Sequence, residues 1–362
     1  MRKLKILLLV TALVAGCGGG PSPAPASGGA TPTAGAPSGS SSPAPSPSTS
    51  ASLATTTVRL ALDWTPNTDH TGFYVARHEG WYADAAIDLK VLPYSGTAPE
   101  TLIGAHQAEC GISFQDALTF AVASGVKATS VMAILQRTAS QIAVLADSGI
   151  ERPRQLDGRT YGSFGYPNEV PTVKYVIQHD GGNGTFKDVV IDTAAYEALY
   201  AKRVDFTIPF TAWEGVEAKL RGIDLRYFAF TDYGFPDFYQ VVLACDPDWL
   251  AREPDAARRF VAATVRGFEM AATDPDGAAA ILVQENPGVF DANPALPKAS
   301  AEFLASGDYY RDQAGKVGPQ TLDRWQGYSG FLYDQGLLVD GDGKPLTTPP
   351  DYGSLFTNDY LP

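Results

Sequence analysis

Short apolar runs alternate with helix-forming segments from Val58 onward, and this alternation limits the possible folds more than any other feature of the sequence. The predicted strands of a first series are residues 58–64, 89–94, 111–114 and 130–135. The predicted helices between them are residues 70–79, 99–107 and 115–124. Strand, helix and strand at this spacing are typical of right-handed βαβ units, which build a mainly parallel sheet. The predicted fold class is therefore α/β.

A second series of the same kind follows the first. Its predicted strands are residues 160–164, 189–192, 206–210 and 225–230. Its predicted helices are residues 169–179, 194–202 and 213–221. Two apolar runs, residues 141–146 and 238–244, separate the two series. We interpret these runs as crossover strands that join two α/β lobes.

After the second crossover the pattern is helical to the end of the chain, and Pro254 within residues 248–272 predicts two helices there. We expect this helical tail on the first lobe, which then comprises residues 55–140 plus 243–362. The second lobe comprises residues 141–242. Open α/β sheets bind ligands beyond the carboxyl ends of their strands. Two lobes that face each other in this way would form a ligand cleft that closes about a hinge.

The first 17 residues have the features of an export signal. Arg2, Lys3 and Lys5 precede an apolar run, residues 6–15, that is too short for a permanent membrane helix. Small residues then lead to Cys17, in an arrangement similar to the lipobox of bacterial lipoproteins, whose cysteine is acylated and becomes the mature N-terminus. An ordinary secretory signal with a chance cysteine is the alternative. We predict a lipoprotein signal peptide at residues 1–17.

Residues 18–54 consist of Gly, Pro, Ser, Ala and Thr apart from one leucine, and they contain no charged residue. Such a stretch cannot bury enough apolar surface to offset its ordering entropy, so it predicts a disordered tether. A signal, an acylatable cysteine and a spacer together predict a protein that is lipid-anchored at the extracytoplasmic face of the cell membrane. No later segment is long and apolar enough to span a bilayer.

The formal net charge of −13 argues against a nucleic acid as a partner, because phosphate contacts need clustered Lys and Arg. Cys110 and Cys245 each lie at the edge of an apolar run, and we interpret them as buried free thiols. A disulfide is the alternative in an exported protein. The four histidines of the chain form no HExxH motif or close Cys/His cluster, so we expect no metal site.

Six motifs carry a resemblance to a known family. They are residues 62–76 (LDWTPNTDHTGFYVA), 80–82 (GWY), 109–115 (ECGISFQ), 161–165 (YGSFG), 213–218 (WEGVEA) and 356–362 (FTNDYLP). These motifs resemble the substrate-binding lipoproteins of ABC transporters for thiamine pyrimidine precursors. That family is similar to the fungal pyrimidine-precursor synthases and is related to riboflavin-binding and, more distantly, sulfonate-binding proteins.

The resemblance implies a periplasmic-binding-protein-like fold and a solute-binding function in an ABC importer. The implied ligand is hydroxymethylpyrimidine or formylaminopyrimidine, and riboflavin or a flavin precursor is the alternative. The implied partners are an ABC permease and its ATPase, and we expect the binding protein to be a monomer.

Candidate ligand-binding residues lie where predicted strands end. Trp64 follows the first strand, where its indole could stack on a flat heteroaromatic ring or merely pack beside Pro66. Asn67 could contact the ligand or cap the next helix. The remaining candidates outside the glycine turn described next are Asp63, His70, Gln115, Trp213, Glu214 and Tyr239.

A short turn of Gly162, Ser163, Phe164 and Gly165 lies between a predicted strand and a predicted helix. Amides at a helix N-terminus attract anions, and the resemblance implies that this turn corresponds to a phosphate-binding turn. Glu169, in the first turn of that helix, could accept a hydrogen bond from an aminopyrimidine amine or simply complement the helix dipole.

A synthase enzyme is the less favoured function. The resemblance implies that the synthases carry a lysine for a pyridoxal cofactor just after the strand 111–114, followed by a histidine, and a run of cysteines near the second crossover. Here the corresponding residues are Ser113-Phe114-Gln115-Asp116-Ala117 and the segment 234–238 (GFPDF). A Schiff base needs an amine and a thiolate iron site needs thiols. We therefore predict a binding protein without a cofactor.

Overall fold

The computed structural model describes residues 53–362, so the predicted signal peptide, Cys17 and nearly all of the predicted tether lie outside the described residues. The described part contains two five-stranded sheets. In chain order their strands are β1 (Thr56–Ala61), β2 (Ile87–Leu92), β3 (Cys110–Ser113), β4 (Thr129–Ala133), β5 (Ile142–Leu145), β6 (Thr160–Ser163), β7 (Lys187–Val190), β8 (Phe206–Thr207), β9 (Leu225–Phe228) and β10 (Val242–Cys245). We call each sheet, with the helices that connect its strands, a lobe.

The α-helices connect the strands of each sheet and form the C-terminal part of the chain. They are α1 (Thr71–His78), α2 (Trp81–Asp84), α3 (Pro99–Gly104), α4 (Gln115–Ala123), α5 (Glu169–His179), α6 (Ala194–Tyr200), α7 (Val216–Leu220), α8 (Pro247–Arg252), α9 (Pro254–Thr273), α10 (Pro275–Glu285), α11 (Leu296–Ser306) and α12 (Leu322–Asp334). The predicted break at Pro254 is confirmed, because a proline without an N–H is suited to the first position of a new helix. Within residues 53–362, no helix combines the length and the apolar character needed to cross a bilayer.

Both sheets have the same arrangement. The strand order is β2-β1-β3-β10-β4 in the first sheet and β7-β6-β8-β5-β9 in the second. In each sheet the first three strands are parallel, and the fourth, β10 or β5, is antiparallel to both of its neighbours. The two runs that we predicted as crossover strands are therefore full members of the sheets. A chain that arrives from the other lobe enters the sheet at the end where the parallel strands finish, so it must run in the opposite direction.

The two crossings lie side by side and are hydrogen-bonded to each other. The backbone N–H groups of Ile134 and Leu135 donate to the carbonyl oxygen of Val241 at 2.9 and 3.1 Å. The hydroxyl of Thr138 donates to the side-chain oxygen of Gln240 at 2.7 Å. These bonds hold the two connecting segments together at the base of the space between the sheets.

Each sheet packs against its own buried apolar cluster. In the first cluster, α1 and α9 cover the sheet with Phe73 and Phe268. In the second, the sheet residue Phe206 shares a cluster with Tyr328 and Phe331 of α12. Residues three apart lie on the same face of a helix, so Tyr328 and Phe331 reach this cluster together. The same helix also packs on the first sheet, because Trp325 is buried with Ala61 and Val242. Helix α12 therefore contacts both lobes, and the assignment of the whole helical tail to the first lobe stays a prediction.

Cys110 and Cys245 form a disulfide, which corrects our interpretation of these residues as free thiols. The two cysteines are directly opposite each other in the antiparallel pair of β3 and β10, with their Cα atoms 4.0 Å apart. Their separation of 135 residues in the sequence gives no indication of this proximity. The two cysteines come together because the chain returns to the first sheet as β10 and pairs with β3.

Candidate ligand-binding site

A cavity of about 540 Å³ lies between the two sheets. Its wall is built from residues that follow the carboxyl ends of parallel strands in both lobes. Asp63 and Trp64 follow β1, Asp116 follows β3, and Phe164 and Asp192 follow β6 and β7. This is where open α/β sheets place their ligands. The volume lies in the usual range for small-molecule sites.

The chemical character of the wall is aromatic and acidic. Its aromatic side chains are Trp64, Tyr94, Phe114, Phe120, Phe164, Tyr166, Tyr196, Phe210, Trp213, Phe230, Phe238 and Tyr328. Its carboxyl side chains are Asp63, Asp69, Glu100, Asp116, Glu169, Asp192 and Glu214. No Lys, Arg or His is among the wall residues within the described part of the chain. The cavity therefore offers flat apolar surfaces and hydrogen-bond acceptors to a ligand, and no cationic group for an anion.

The structure brings seven of the residues predicted from the sequence together in this wall. They are Asp63, Trp64, Asn67, Phe164, Glu169, Trp213 and Glu214. The indole of Trp64 is 42% exposed and lies 5.1 Å, between ring centroids, from the ring of Tyr94. An aromatic pair left partly exposed at a cavity is available for stacking. That these seven residues contact a ligand remains a prediction.

Six of the predicted residues are not among the residues of this wall, namely His70, Gln115, Gly162, Ser163, Gly165 and Tyr239. That they contact a ligand remains a prediction. His70 is fully buried. Its Nδ1 accepts a hydrogen bond from the backbone N–H of Asn67 at 3.3 Å, so its Nε2 carries the proton that is donated to Asp63 at 2.8 Å. His70 therefore orients a carboxylate of the wall instead of touching the cavity.

Gln115 and Tyr239 have packing roles. The side-chain amide of Gln115 donates to the carbonyl oxygens of Arg324 and Trp325, and its oxygen accepts from the backbone N–H of Tyr239. The hydroxyl of Tyr239 accepts from the backbone N–H of Thr321 at 2.8 Å. Both side chains connect α4 and the segment before β10 to α12, which is why they are buried away from the cavity.

The glycine turn does not offer a phosphate site. Both oxygens of Glu169 accept from the backbone N–H of Phe164, at 3.0 and 3.3 Å, and one also accepts from that of Gly165 at 3.0 Å. The carboxyl group thus occupies the place where an external anion would bind. A Cβ on Gly162 would lie 3.1 Å from Val204, so this glycine serves the close packing of β6.

Asn67 has the capping role that the sequence left open. Its side-chain oxygen accepts from the backbone N–H of Asp69 at 2.8 Å, and its amide donates to the carbonyl oxygen of Thr65 at 3.2 Å. These bonds fix the tight turn between β1 and α1. This turn sets the positions of Asp63 and Trp64 in the wall.

Sequence reasoning missed a polar connection across the cavity. The amide of Asn168, at the start of α5 in the second lobe, donates to Asp116 of the first lobe at 2.7 Å. The same amide donates to the hydroxyl of Tyr328 in α12 at 2.8 Å. Neither the spacing nor the local pattern of these residues indicates that they meet. The connection holds the two lobes close at one side of the cavity.

Several carboxyl groups of the wall have raised pKa values. Burial raises the pKa of Glu214 to about 7, although its carboxylate accepts from the backbone N–H of Phe210. Burial likewise raises the pKa of Glu169 to about 7, despite the two backbone donors. The pKa of Asp69 lies well above its ordinary value because the residue is buried near the carboxylates of Asp63 and Glu214. A positive charge in the cavity would lower the pKa of all three carboxyl groups, because an opposite charge favours the ionised form.

The family model described as NMT1/THI5 like matches residues 67–278 of the sequence. This match spans more than half of the chain. The chain belongs to the NMT1/THI5-like family. The family resemblance indicated by the sequence motifs is thereby confirmed.

Two relatives of this NMT1/THI5-like chain differ in their named activities. A formylaminopyrimidine-binding protein of Halalkalibacterium halodurans is 25% identical over 277 residues, which cover 75% of this chain and 82% of that protein. The 4-amino-5-hydroxymethyl-2-methylpyrimidine phosphate synthase THI11 of Saccharomyces cerevisiae is 24% identical over 331 residues, which cover 85% of this chain and 88% of that protein. Similarity alone does not separate a binding protein from an enzyme within this family.

A solved structure supports the fold of this NMT1/THI5-like chain. The alkanesulfonate-binding protein SsuA from Xanthomonas axonopodis pv. citri, bound to MOPS, matches with a TM-score of 0.61 at 15% identity. The match covers 79% of this chain and 96% of SsuA. The predicted periplasmic-binding-protein-like α/β fold is therefore confirmed, and at this identity the likeness concerns the fold alone.

Proposed function

We propose that the protein is the extracytoplasmic solute-binding component of an ABC importer and binds a thiamine-related aminopyrimidine, hydroxymethylpyrimidine or formylaminopyrimidine, in the cavity. The observation that carries the proposal is the composition of the wall, which has many aromatic rings, seven carboxyl groups and no Lys, Arg or His among the described residues. The 25% identical formylaminopyrimidine-binding protein supports the choice of ligand.

The chemistry of an aminopyrimidine suits this wall. Its flat ring can stack against indole or phenyl faces, and its exocyclic amine donates hydrogen bonds that carboxylates accept. Glu169 and Glu214 come from the second lobe and Asp63 from the first, so a ligand between them would contact both lobes. An anionic ligand such as a sulfonate or a phosphate would lie beside carboxyl groups and would find no Lys, Arg or His among the described wall residues.

Transport, rather than catalysis, is the role that this wall favours. The synthase chemistry that the sequence resemblance implies needs a lysine amine after β3. The segment Ser113-Phe114-Gln115-Asp116-Ala117 contains no lysine, and the side chain of Gln115 is buried and bonded to backbone groups. A carboxamide cannot form a Schiff base. The protein therefore would hold its ligand between the lobes and deliver it unchanged.

The remaining parts of the proposal concern the membrane. The sequence of residues 1–54 predicts a signal, acylation at Cys17 and a tether, which together would keep the binding domain near the outer face of the membrane. A permease with its ATPase would receive the ligand from the closed form, and the binding protein would act as a monomer.

A thermal-shift titration with purified protein tests the ligand. A ligand that binds only the native state stabilises it by about 2.7 kcal/mol at a concentration of 100 times Kd. We expect hydroxymethylpyrimidine or formylaminopyrimidine to raise Tm progressively with concentration. A rise with riboflavin and none with either pyrimidine would replace the proposed ligand by a flavin, and no rise with any of the three would contradict the proposed function.

The replacement Trp64→Ala is expected to weaken the binding of the pyrimidine by about 5-fold to 150-fold, because stacking of a base on an aromatic side chain contributes about 1–3 kcal/mol. The measurement is calorimetric titration. Trp81→Ala is the matched control, since Trp81 lies outside the cavity wall and packs under the guanidinium of Arg266 at 3.8 Å. Equal affinity of wild type and Trp64→Ala would remove Trp64 from the binding site.

A further inference from the structure

Asp69 is a buried carboxyl group with an oxygen, Oδ1, that has no hydrogen-bond partner within residues 53–362. It lies in the cavity wall and is only 5% exposed. Its Oδ1 accepts no hydrogen bond from any described residue. Buried polar groups are normally hydrogen-bonded, and an unpaired buried carboxylate is costly. An unpartnered acceptor in the cavity wall is therefore the starting point for a proposal about the ligand.

The surroundings of Asp69 add further negative charge. Asp63 and Glu214 lie near enough for their carboxylates to raise the pKa of Asp69. Of the nearby side chains, the ring of His70 is already bonded on both nitrogens, to Asp63 and to the backbone of Asn67. Among the described residues, no Lys, Arg or His side chain lines the cavity. This end of the cavity thus has three carboxyl groups and no cation of its own in the wall.

A metal ion does not suit this group of carboxylates. Among residues 53–362, no three His, Cys, Asp or Glu side chains converge closely enough to hold a metal ion. The oxygens are instead spread around a space that is also lined by aromatic rings, including Trp213. A flat organic cation can donate several hydrogen bonds to separated carboxylates and stack on rings at the same time.

We propose that the cavity selects a ligand that carries a positive charge on a flat nitrogen base, and that Asp69 is the specificity-determining residue which receives this charge, with Asp63 and Glu214 beside it. The inference rests on the proposed function in placing the ligand in this cavity. The inference goes beyond that function because it requires a positively charged ligand and names Asp69 as the residue that binds the charged group. A neutral ring of the same shape could donate a hydrogen bond to Asp69 but would bring no positive charge to a described wall that has no Lys, Arg or His.

Benzamidine and benzamide test the proposal directly. The two compounds have nearly the same size and shape, but benzamidine carries a planar cation at neutral pH whereas benzamide is neutral. We expect wild-type protein to bind benzamidine about tenfold or more tightly than benzamide in calorimetric titrations, because hydrogen bonds to charged groups are the stronger ones. Equal affinities, or no benzamidine binding at millimolar concentration, would overturn the proposal.

The variant Asp69→Asn keeps the shape of the side chain and removes its charge. It is expected to reduce the preference for benzamidine over benzamide to less than about threefold. Asp255→Asn is the charge-matched control, because Asp255 is exposed on α9 with 86% of its side chain accessible. An unchanged preference in Asp69→Asn would show that another group receives the charge. If Asp69→Asn does not fold, Glu214→Gln provides the second test and must also lower the preference.

The pyrimidine titration separates the two proposals. Binding of formylaminopyrimidine with no preference for benzamidine would leave the proposed function intact and overturn the charge selectivity. A benzamidine preference that depends on Asp69, with no binding of either pyrimidine, would establish a cation site and overturn the proposed ligand.

Discussion

Replacement of both Cys110 and Cys245 by alanine is expected to lower the free energy of unfolding by about 3–5 kcal/mol. The disulfide closes a loop of 135 residues, and this loop contains all five strands of the second sheet. Closing so long a loop removes much conformational entropy from the unfolded chain. The disulfide lies at the first residue of β3, whereas the cavity lies beyond its last residue, Ser113. The ligand affinity of the folded variant should therefore stay near that of wild type.

Denaturation in guanidinium chloride measures this loss, with reduced wild-type protein as a second form that lacks the bond. The reduced wild type and the double variant should have similar midpoints, both well below that of the oxidised wild type. A loss smaller than about 1 kcal/mol would contradict this assignment of the disulfide's role. The disulfide itself would be contradicted if the number of free thiols in the unfolded protein did not rise on reduction.

The replacement Gly267→Ala is expected to destabilise the protein by about 3 kcal/mol or more. Gly267 lies in α9 where this helix crosses α1, and a Cβ at this position would overlap the backbone carbonyl oxygen of Gly72. A backbone atom cannot rotate away as a side chain can. The two helices would have to separate, which would open the cluster around Phe73 and Phe268 that supports the first sheet.

Gly330→Ala in α12 is the matched control for this helix crossing. A Cβ on Gly330 would find its nearest neighbour, the hydroxyl of Tyr352, at 3.7 Å, which is ordinary contact. Alanine is favoured over glycine within a helix by about 1 kcal/mol, so this variant should be unchanged or slightly more stable. Equal unfolding midpoints for Gly267→Ala and Gly330→Ala would contradict the close crossing of α1 and α9.

Much of the fold could be predicted from the sequence because its signals are local. Apolar runs of strand length and helix-forming segments alternate twice, and the predicted strands overlap all of the parallel strands of both sheets. The antiparallel direction of β5 and β10 depends on where the chain enters each sheet. The packing of α12 against both sheets depends on contacts between residues that are far apart in the sequence. No local pattern carries that information.

The candidate site was predicted only in part for the same reason. Trp64 and Glu214 were predicted because they come shortly after predicted strands, and the structure places both in the cavity wall. Gln115 and Tyr239 also lie near strand ends, but hydrogen bonds to α12 and to the preceding loop keep them buried. Asp69 lies within a motif that we had singled out, yet its unpaired oxygen becomes apparent only when the surrounding side chains are placed.

The proposed ligand depends on a cavity wall that has seven carboxyl groups and no Lys, Arg or His among the described residues. The acidic wall also distinguishes this chain's site from one suited to a sulfonate, although the fold is shared with the alkanesulfonate-binding protein SsuA. On the proposal made above, the shared fold would set where the ligand lies, whereas the residues at the strand ends would select its charge.

Calorimetric titration of wild-type protein with formylaminopyrimidine and, separately, with the sulfonate MOPS tests this claim most directly. We expect saturable binding of one formylaminopyrimidine per protein, and no heat of binding with MOPS up to millimolar concentration. Saturable binding of MOPS, or of any other anion in this cavity, together with no response to the pyrimidine would contradict it.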